Sequence, residues 1–182
     1  YAFVIYGLTK LEVDMDIKKS QGLKIPFVAD YYNTAHTKVG SMYAYDMTLK
    51  FKNEGDAKKA EHLLRIDKLA KEAQKFKLVK RTFSLADIVK DLNFAANESK
   101  PENYSIPADV NLVAQLLLLY EMQGGKDVTE WIDYKYTTLR LNIEIEDYSA
   151  IEVEKQFNYL KKRAKEEFPD AQFGMVGSAV QF

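Results

Sequence analysis

Two stretches of this chain alternate apolar and polar residues, which is the pattern of a β-strand with one buried face. The first stretch covers residues 42–51 and the second covers residues 137–146. The residues on the apolar faces are Tyr43, Tyr45, Met47, Leu49 and Phe51 in the first stretch, and Leu139, Leu141, Ile143 and Ile145 in the second. We therefore expect two half-buried strands that lie far apart in the sequence.

Each of these strands is followed by a stretch with helical spacing and then by a second, shorter strand. The helical stretches cover residues 57–76 and 150–168, and the short strands cover 78–83 and 171–176. Apolar residues recur in the helical stretches at the spacing of an amphipathic helix. The expected apolar stripes are Ala60, Leu64, Ala70, Ala73 and Phe76 in the first helix, and Val153, Phe157, Leu160, Ala164 and Phe168 in the second. The pattern predicts two β-α-β units.

The segment between the two units opens with a helix signal. Ser84 is followed three residues later by Asp87, a variant of the capping box that begins many helices. The helix is expected over residues 85–96, with Ile88, Leu92 and Ala95 on one stripe.

A second helix is expected later in this segment. Asp109 is a suitable N-cap, and residues 110–122 are almost all apolar, so this helix is expected to be enclosed on most sides. Gly124-Gly125 then ends the helix, because glycine tolerates the left-handed conformation at a helix C-terminus.

Together these elements predict an α+β fold. The expected order is a β-α-β unit over 42–83, a helical insert over 84–134 and a second β-α-β unit over 136–177. Two such units form the ferredoxin-like split β-α-β sandwich, a four-stranded sheet with two crossover helices on one face. Residues 20–40 show no clear pattern.

Composition narrows the possible functions. The chain has 182 residues, no cysteine, and a net charge of −1 from 26 basic and 27 acidic residues. Disulfides and thiolate metal sites are therefore excluded, and the basic surface of a nucleic-acid-binding protein is missing. The apolar run at residues 1–8 has two interpretations, a truncated hydrophobic segment or an ordinary buried element.

No motif for catalysis or cofactor binding is present. The sequence has no Gly-rich phosphate loop, no G-x-S-x-G and no H-E-x-x-H. His36 and His62 stand apart from any paired-ligand spacing, and His62 is expected to face solvent. Asp14 and Asp16 share a strand face, but a solvated face is favoured over a cation site. We expect neither an enzyme nor a cofactor or metal site.

Several segments of this chain resemble segments of the extracytoplasmic domain of exporters in the resistance-nodulation-division (RND) superfamily, in the MmpL/Patched-like branch. They occur here in the same order as in that family. The main match is a proline-led helix with leucines and Tyr-Glu, two glycines, an aspartate among aromatic residues, and an alternating strand. These parts are Ile106-Pro107, residues 115–121, Gly124-Gly125, residues 131–136 and residues 139–145. Residues 11–16, 40–46 and 79–90 also resemble the family.

The resemblance implies the porter part of a proton-driven membrane exporter that moves hydrophobic or lipid-like cargo. Residues 1–17 would hold the end of a membrane helix and a connecting strand, and residues 18–182 a single porter domain. Its place would be the inner membrane, on the periplasmic side, with both ends of the domain facing the membrane. The implied partners are the membrane-embedded remainder of the same polypeptide, its second porter domain, the cargo, and further copies of the full-length protein; nucleic acid is not expected.

Four aromatic residues of the insert are the candidate contact residues, namely Tyr120, Trp131, Tyr134 and Tyr136. They could contact cargo or the second porter domain, or they could fill the gap between the insert and the sheet. A different class of function is also open: a free-standing ferredoxin-like ligand-binding or regulatory module that dimerises through its sheet.

Overall fold

The computed structural model describes residues 6–7, 22–125 and 128–177. Its strands are β1 (Tyr43–Lys50), β2 (Val79–Ser84), β3 (Thr138–Ile145) and β4 (Gln172–Gly177). Its helices are α1 (Pro26–Ala35), α2 (Ala60–Ala73), α3 (Leu85–Ala96), α4 (Val110–Met122), α5 (Val128–Trp131) and α6 (Ala150–Glu167). The predictions for residues 1–5, 8–17 and 178–182 concern segments that lie outside the described residues.

The four strands form one antiparallel sheet in the order β2-β3-β1-β4. Helices α2 and α6 are the crossover connections of the two β-α-β units, and α3, α4 and α5 come between these units in the chain. The predicted α+β fold, a ferredoxin-like split sandwich, is therefore confirmed.

The main core includes the apolar face of the sheet and the inner faces of the helices. All four expected residues of β3 are fully buried, as are Tyr45, Met47 and Leu49 of β1. The phenol of Tyr45 donates a hydrogen bond of 2.8 Å to Gln156 Oε1 of α6, so the polar end of this buried ring has a partner. Burial raises the pKa of the Tyr45 hydroxyl above its ordinary value.

Two positions in the predicted apolar stripes are wrong. Leu64 of α2 is 52% exposed, because the buried side of this helix includes Leu63 and Ile66 in its place. In α3, Ala95 is exposed and its polar neighbour Asn93 is buried. The Asn93 amide donates to the carbonyl oxygens of Asn103 and Ser105 at 2.9 and 3.0 Å, which fastens the following loop to the helix.

Helix α1 lies in the stretch without a clear sequence pattern. Pro26 occupies its first turn, and its residues Val28, Tyr32 and Ala35 form a small second core with Met42. The spacings between these three buried residues of α1, four and then three, are those of a helix. Three apolar positions in ten residues are, however, too few to predict a helix from the sequence.

No helix within the described residues is long and apolar enough to cross a membrane.

Candidate binding site on the helical insert

Helices α3 and α4 of the insert begin at the capping residues that the sequence indicates. Ser84 and Asp87 form the predicted capping box: Ser84 Oγ accepts from the backbone N–H of Ala86, and Asp87 Oδ2 accepts from that of Ser84 at 2.9 Å. Asp109 caps α4 by accepting from the N–H of Asn111 at 2.8 Å. Both predicted helix starts are therefore correct.

The glycine pair after α4 is required for two different reasons. Gly124 has a φ of +89°, the left-handed conformation that ends many helices. At Gly125 a Cβ atom would lie 2.3 Å from the ring of Tyr120, so no larger residue fits there without moving that ring.

The sequence predicted that helix α4 is enclosed on most sides, but the structure shows that it is not. Only Val113, Leu116 and Leu117 are buried. We define the α4 apolar face as the exposed apolar residues of this helix, namely Val110 (44% exposed), Leu112 (37%), Leu118 (56%), Leu119 (55%) and Met122 (74%). The prediction was wrong because one side of α4 packs against the domain and no described element covers its other side.

A cavity of about 340 Å³ lies at the C-terminal end of α4. We call it the tyrosine pocket, and its lining residues are Glu121, Gly125, Val128, Thr129, Ile132, Asp133, Tyr134 and Tyr136. Its volume falls in the range of about 300–1,000 Å³ that is usual for small-molecule sites. Apolar side chains and tyrosine rings form much of its wall, with two carboxylates among them.

Tyr136 is held firmly at this pocket. Its hydroxyl donates to Glu121 Oε1 at 2.6 Å, and the ammonium group of Lys58 lies 4.4 Å from the centre of its ring. Burial, together with the hydrogen bond to the Glu121 carboxylate, raises the pKa of the Tyr136 hydroxyl to about 12. The phenol is therefore a neutral hydrogen-bond donor at physiological pH.

The backbone of Tyr136 is strained. Its φ of +54° is a conformation that costs a residue other than glycine about 1–3 kcal/mol. The surrounding structure compensates: the carbonyl of Tyr136 accepts from the N–H of Ala57 at 2.9 Å, and Asp133 accepts from the N–H groups of Thr137 and Thr138 at 2.7 Å. Burial alone would raise the pKa of Asp133, but the hydrogen bonds from Thr137 and Thr138 outweigh it, so this pKa is lowered.

The four predicted aromatic residues are divided between two places. Tyr134 and Tyr136 line the tyrosine pocket, and the Tyr134 side chain is 91% exposed. Tyr120 and Trp131 line a smaller groove of about 150 Å³ beside Phe83 of β2.

Trp131 has the contacts expected of a residue that fills the gap between insert and sheet. Its ring meets that of Phe83 at a centroid distance of 4.7 Å and an angle of 60°. The guanidinium of Arg140 lies 5.4 Å from the same ring and forms an ion pair of 2.7 Å with Asp46 on the neighbouring strand. Trp131 thus joins α5 to β2 and β3.

A cavity larger than the tyrosine pocket lies elsewhere and was not anticipated from the sequence. It measures about 470 Å³ and is lined by Phe51, His62, Phe168 and a set of charged residues. Much of that charge is already paired, as in the ion pair of 2.7 Å between Lys59 and Asp56. We therefore favour the more apolar tyrosine pocket as the candidate site.

His62 does not face solvent, contrary to the sequence prediction. Its side chain is only 13% exposed, and its ring stacks on Phe51 with centroids 4.5 Å apart and planes 4° from parallel. Its Nδ1 lies 2.7 Å from the carbonyl oxygen of Asp56, and since a carbonyl can only accept, Nδ1 carries a proton. The charged residues around His62 favoured an exposed side chain, and the local sequence could not predict that Phe51 packs against α2 at this position.

The chain matches no protein-family model, and no curated protein matches it significantly.

Proposed function

We propose that this chain is the extracytoplasmic porter domain of a proton-driven RND-type membrane exporter, and that its helical insert contacts hydrophobic or lipid-like cargo. The domain would lie on the periplasmic side of the inner membrane, joined to the membrane-embedded remainder of the polypeptide. The ferredoxin-like fold supports this proposal, as does the order of the segments that resemble the family.

The observation that carries the proposal is the α4 apolar face beside the tyrosine pocket. Leu118, Leu119 and Met122 are each more than half exposed on one helix, and Glu121, between Leu119 and Met122, lines the pocket. Exposed apolar side chains that cluster in this way are typical of a surface that binds a partner or an apolar ligand. The second porter domain of the intact protein is one such partner, and the cargo is the other.

The chemistry of the pocket favours an amphipathic cargo. Val128, Ile132 and the tyrosine rings would receive an apolar part, and Glu121 and the Tyr136 hydroxyl would meet a polar group at the rim. Apolar walls with a few placed polar groups are the usual composition of small-molecule sites.

Fluorescence quenching tests the cargo contact, because Trp131 is the only tryptophan and lies next to Ile132 of the pocket. A brominated fatty acid should quench Trp131 in a saturable manner. The variant Leu118→Glu should weaken the apparent affinity at least about tenfold, equivalent to 1.4 kcal/mol.

The matched control is Leu64→Glu. Leu64 is 52% exposed against 56% for Leu118, but it lies on α2, which is not part of the insert. Equal affinity in the two variants, or no saturable quenching of the parent chain, would contradict cargo binding at the insert.

A free-standing ligand-binding or regulatory module is the second candidate, favoured by the size of the tyrosine pocket. The full-length gene product distinguishes the two. Apolar segments of about 20 residues before residue 1 and after residue 182 support the exporter, and their absence would favour the module. Mass spectrometry of lipids extracted from the purified full-length protein then identifies the cargo class.

A further inference from the structure

The two edge strands of the sheet, β2 and β4, differ in how they are protected from pairing with another strand. An edge strand presents unpaired N–H and C=O groups, and proteins normally block such edges with charges, prolines, irregular register or covering segments.

The β2 edge carries several of these features. It contains Lys80 and Arg81, and its register with β3 shifts between Val79 and Arg81. Lys80 Nζ donates to the carbonyl oxygens of Ala35, at 2.6 Å, and Thr37, so the loop after α1 is held beside this strand. The β2 edge is therefore both charged and flanked.

Within the described residues, the β4 edge has none of these features. Its sequence, Gln-Phe-Gly-Met-Val-Gly, contains no charge and no proline, and β4 pairs with β1 in an unbroken register. No described strand pairs with its other side.

The ladder shows which β4 backbone groups point away from the sheet. The N–H of Phe51 donates to Thr137 opposite it at 2.7 Å, so the odd-numbered residues of β1 bond to β3. Hydrogen-bonded pairs alternate along an antiparallel ladder, so the even-numbered residues of β1 bond to β4. These are paired with Gln172, Gly174 and Val176. The backbone groups of Phe173, Met175 and Gly177 consequently point outward.

We propose that the β4 edge pairs antiparallel with β4 of a second copy of this chain, about a two-fold axis at Met175. This register joins the outward groups of Met175 to those of Met175 in the second copy, and the outward groups of Phe173 to those of Gly177. Each copy uses the same surface, as a two-fold dimer requires.

The side chains fit this register. Phe173 lies opposite Gly177 of the second copy on the core side of the sheet. On the other side, Val176, which is 55% exposed, lies opposite Gly174. Both glycines are also required by the packing within one chain. A Cβ at Gly174 would lie 2.7 Å from Thr48 Oγ1, and a Cβ at Gly177 would lie 2.7 Å from Tyr45 Cα. The dimer places a large apolar side chain over each of them.

Sedimentation equilibrium of the 182-residue chain tests the proposal. We expect a monomer–dimer equilibrium in the parent chain and a dissociation constant raised at least about tenfold by Met175→Pro, which removes an outward N–H. Met175→Ala is the matched control, because it also loses the methionine side chain but keeps the N–H, and its effect should be smaller. Circular dichroism checks that each variant is folded.

Val176→Lys provides a test that leaves the core unchanged. A lysine on the β4 edge should weaken dimerisation, whereas Val39→Lys, at a position 79% exposed in the loop before β1, should not. Amide hydrogen exchange at Phe173, Met175 and Gly177 should slow as protein concentration rises. A parent chain that stays monomeric, or a dimer insensitive to Met175→Pro and Val176→Lys, would overturn the proposal.

Discussion

Helices α2 and α4 are of similar length, and the more apolar of the two is the less buried. The α2 sequence is rich in Lys and Glu, yet it buries Ala60, Leu63, Ile66, Asp67, Leu69, Ala70 and Ala73. The α4 sequence contains four consecutive leucines but buries only Val113, Leu116 and Leu117. Apolar content alone does not determine burial, because burial needs a second surface: α2 packs on the sheet, α3 and α6, and α4 packs on one side only.

Replacing a buried leucine of α2 should produce the largest effect. Leu63 is fully buried and Leu64, its neighbour, is 52% exposed. Leu63→Ala should lower the free energy of unfolding by about 2–5 kcal/mol, since it leaves a cavity. Leu64→Ala should change it by about 0.5 kcal/mol or less. Urea denaturation measures both, and equal effects would mean that the two sides of α2 are not distinguished as described.

The ion pairs of Asp67 should rank next. Asp67 of α2 lies 2.8 Å from the ammonium of Lys90 on α3 and 2.7 Å from that of Lys71 on α2 itself. Burial alone would raise the pKa of Asp67, but hydrogen bonds from Lys71 and Lys90 outweigh it, so the pKa is lowered. Asp67→Asn should cost about 1.5–3 kcal/mol at pH 7, the range for hydrogen bonds to charged groups.

The pH dependence of that loss follows from the direction of the shift. A lowered folded-state pKa means that the stabilisation is complete above the unfolded pKa, about 3.9, and disappears as the pH falls through the folded value. The gap in unfolding free energy between the parent chain and Asp67→Asn should therefore close below about pH 4. A gap that stays constant from pH 7 to pH 3 would show that the charge of Asp67 is not responsible.

Removing the α3 cap tests whether local signals stabilise the insert. Ser84→Ala removes the hydroxyl that accepts from the N–H of Ala86, and the expected loss is about 1 kcal/mol. Ser84→Asn should retain much of that stability if the cap itself matters, as thermal unfolding followed by circular dichroism can show. Ser84 is fully buried, so a loss well above this value in every variant would instead indicate a packing defect.

The smallest effect is expected on the α4 apolar face. Leu118→Ala should change the free energy of unfolding of the isolated chain by about 0.5 kcal/mol or less. Leu117→Ala, one residue away at a position 1% exposed, should cost about 2–5 kcal/mol. A large loss from Leu118→Ala in the isolated chain would show that the face is covered after all.

The strands were predictable because alternation has one simple geometric meaning. Leu139, Leu141, Ile143 and Ile145 could only share a face, and all four are buried. Helix ends were predictable where a capping residue or glycine acts on its immediate neighbours, as at Ser84, Asp109 and Gly124.

The candidate site was only partly predictable. The sequence placed four aromatic residues in the insert, but their distribution between two cavities depends on how α5 packs against β2, as the contact of Trp131 with Phe83 shows. Glu121 as the partner of Tyr136, and the strained backbone of Tyr136, had no local signal, because they arise from contacts between separate segments.

The sequence by itself determined the four strands, the crossover helices α2 and α6, the ferredoxin-like architecture, and the starts of the insert helices α3 and α4, because these depend on periodicity and on neighbouring residues. Only the tertiary structure decided which side of each helix is covered: Leu63 rather than Leu64 in α2, and one side of α4 rather than most of it. It also stacked His62 on Phe51 and placed β4 at an edge of the sheet that the described strands form. The physical reason is the same in each case: burial, stacking and strand pairing depend on a second surface that comes from a distant part of the chain.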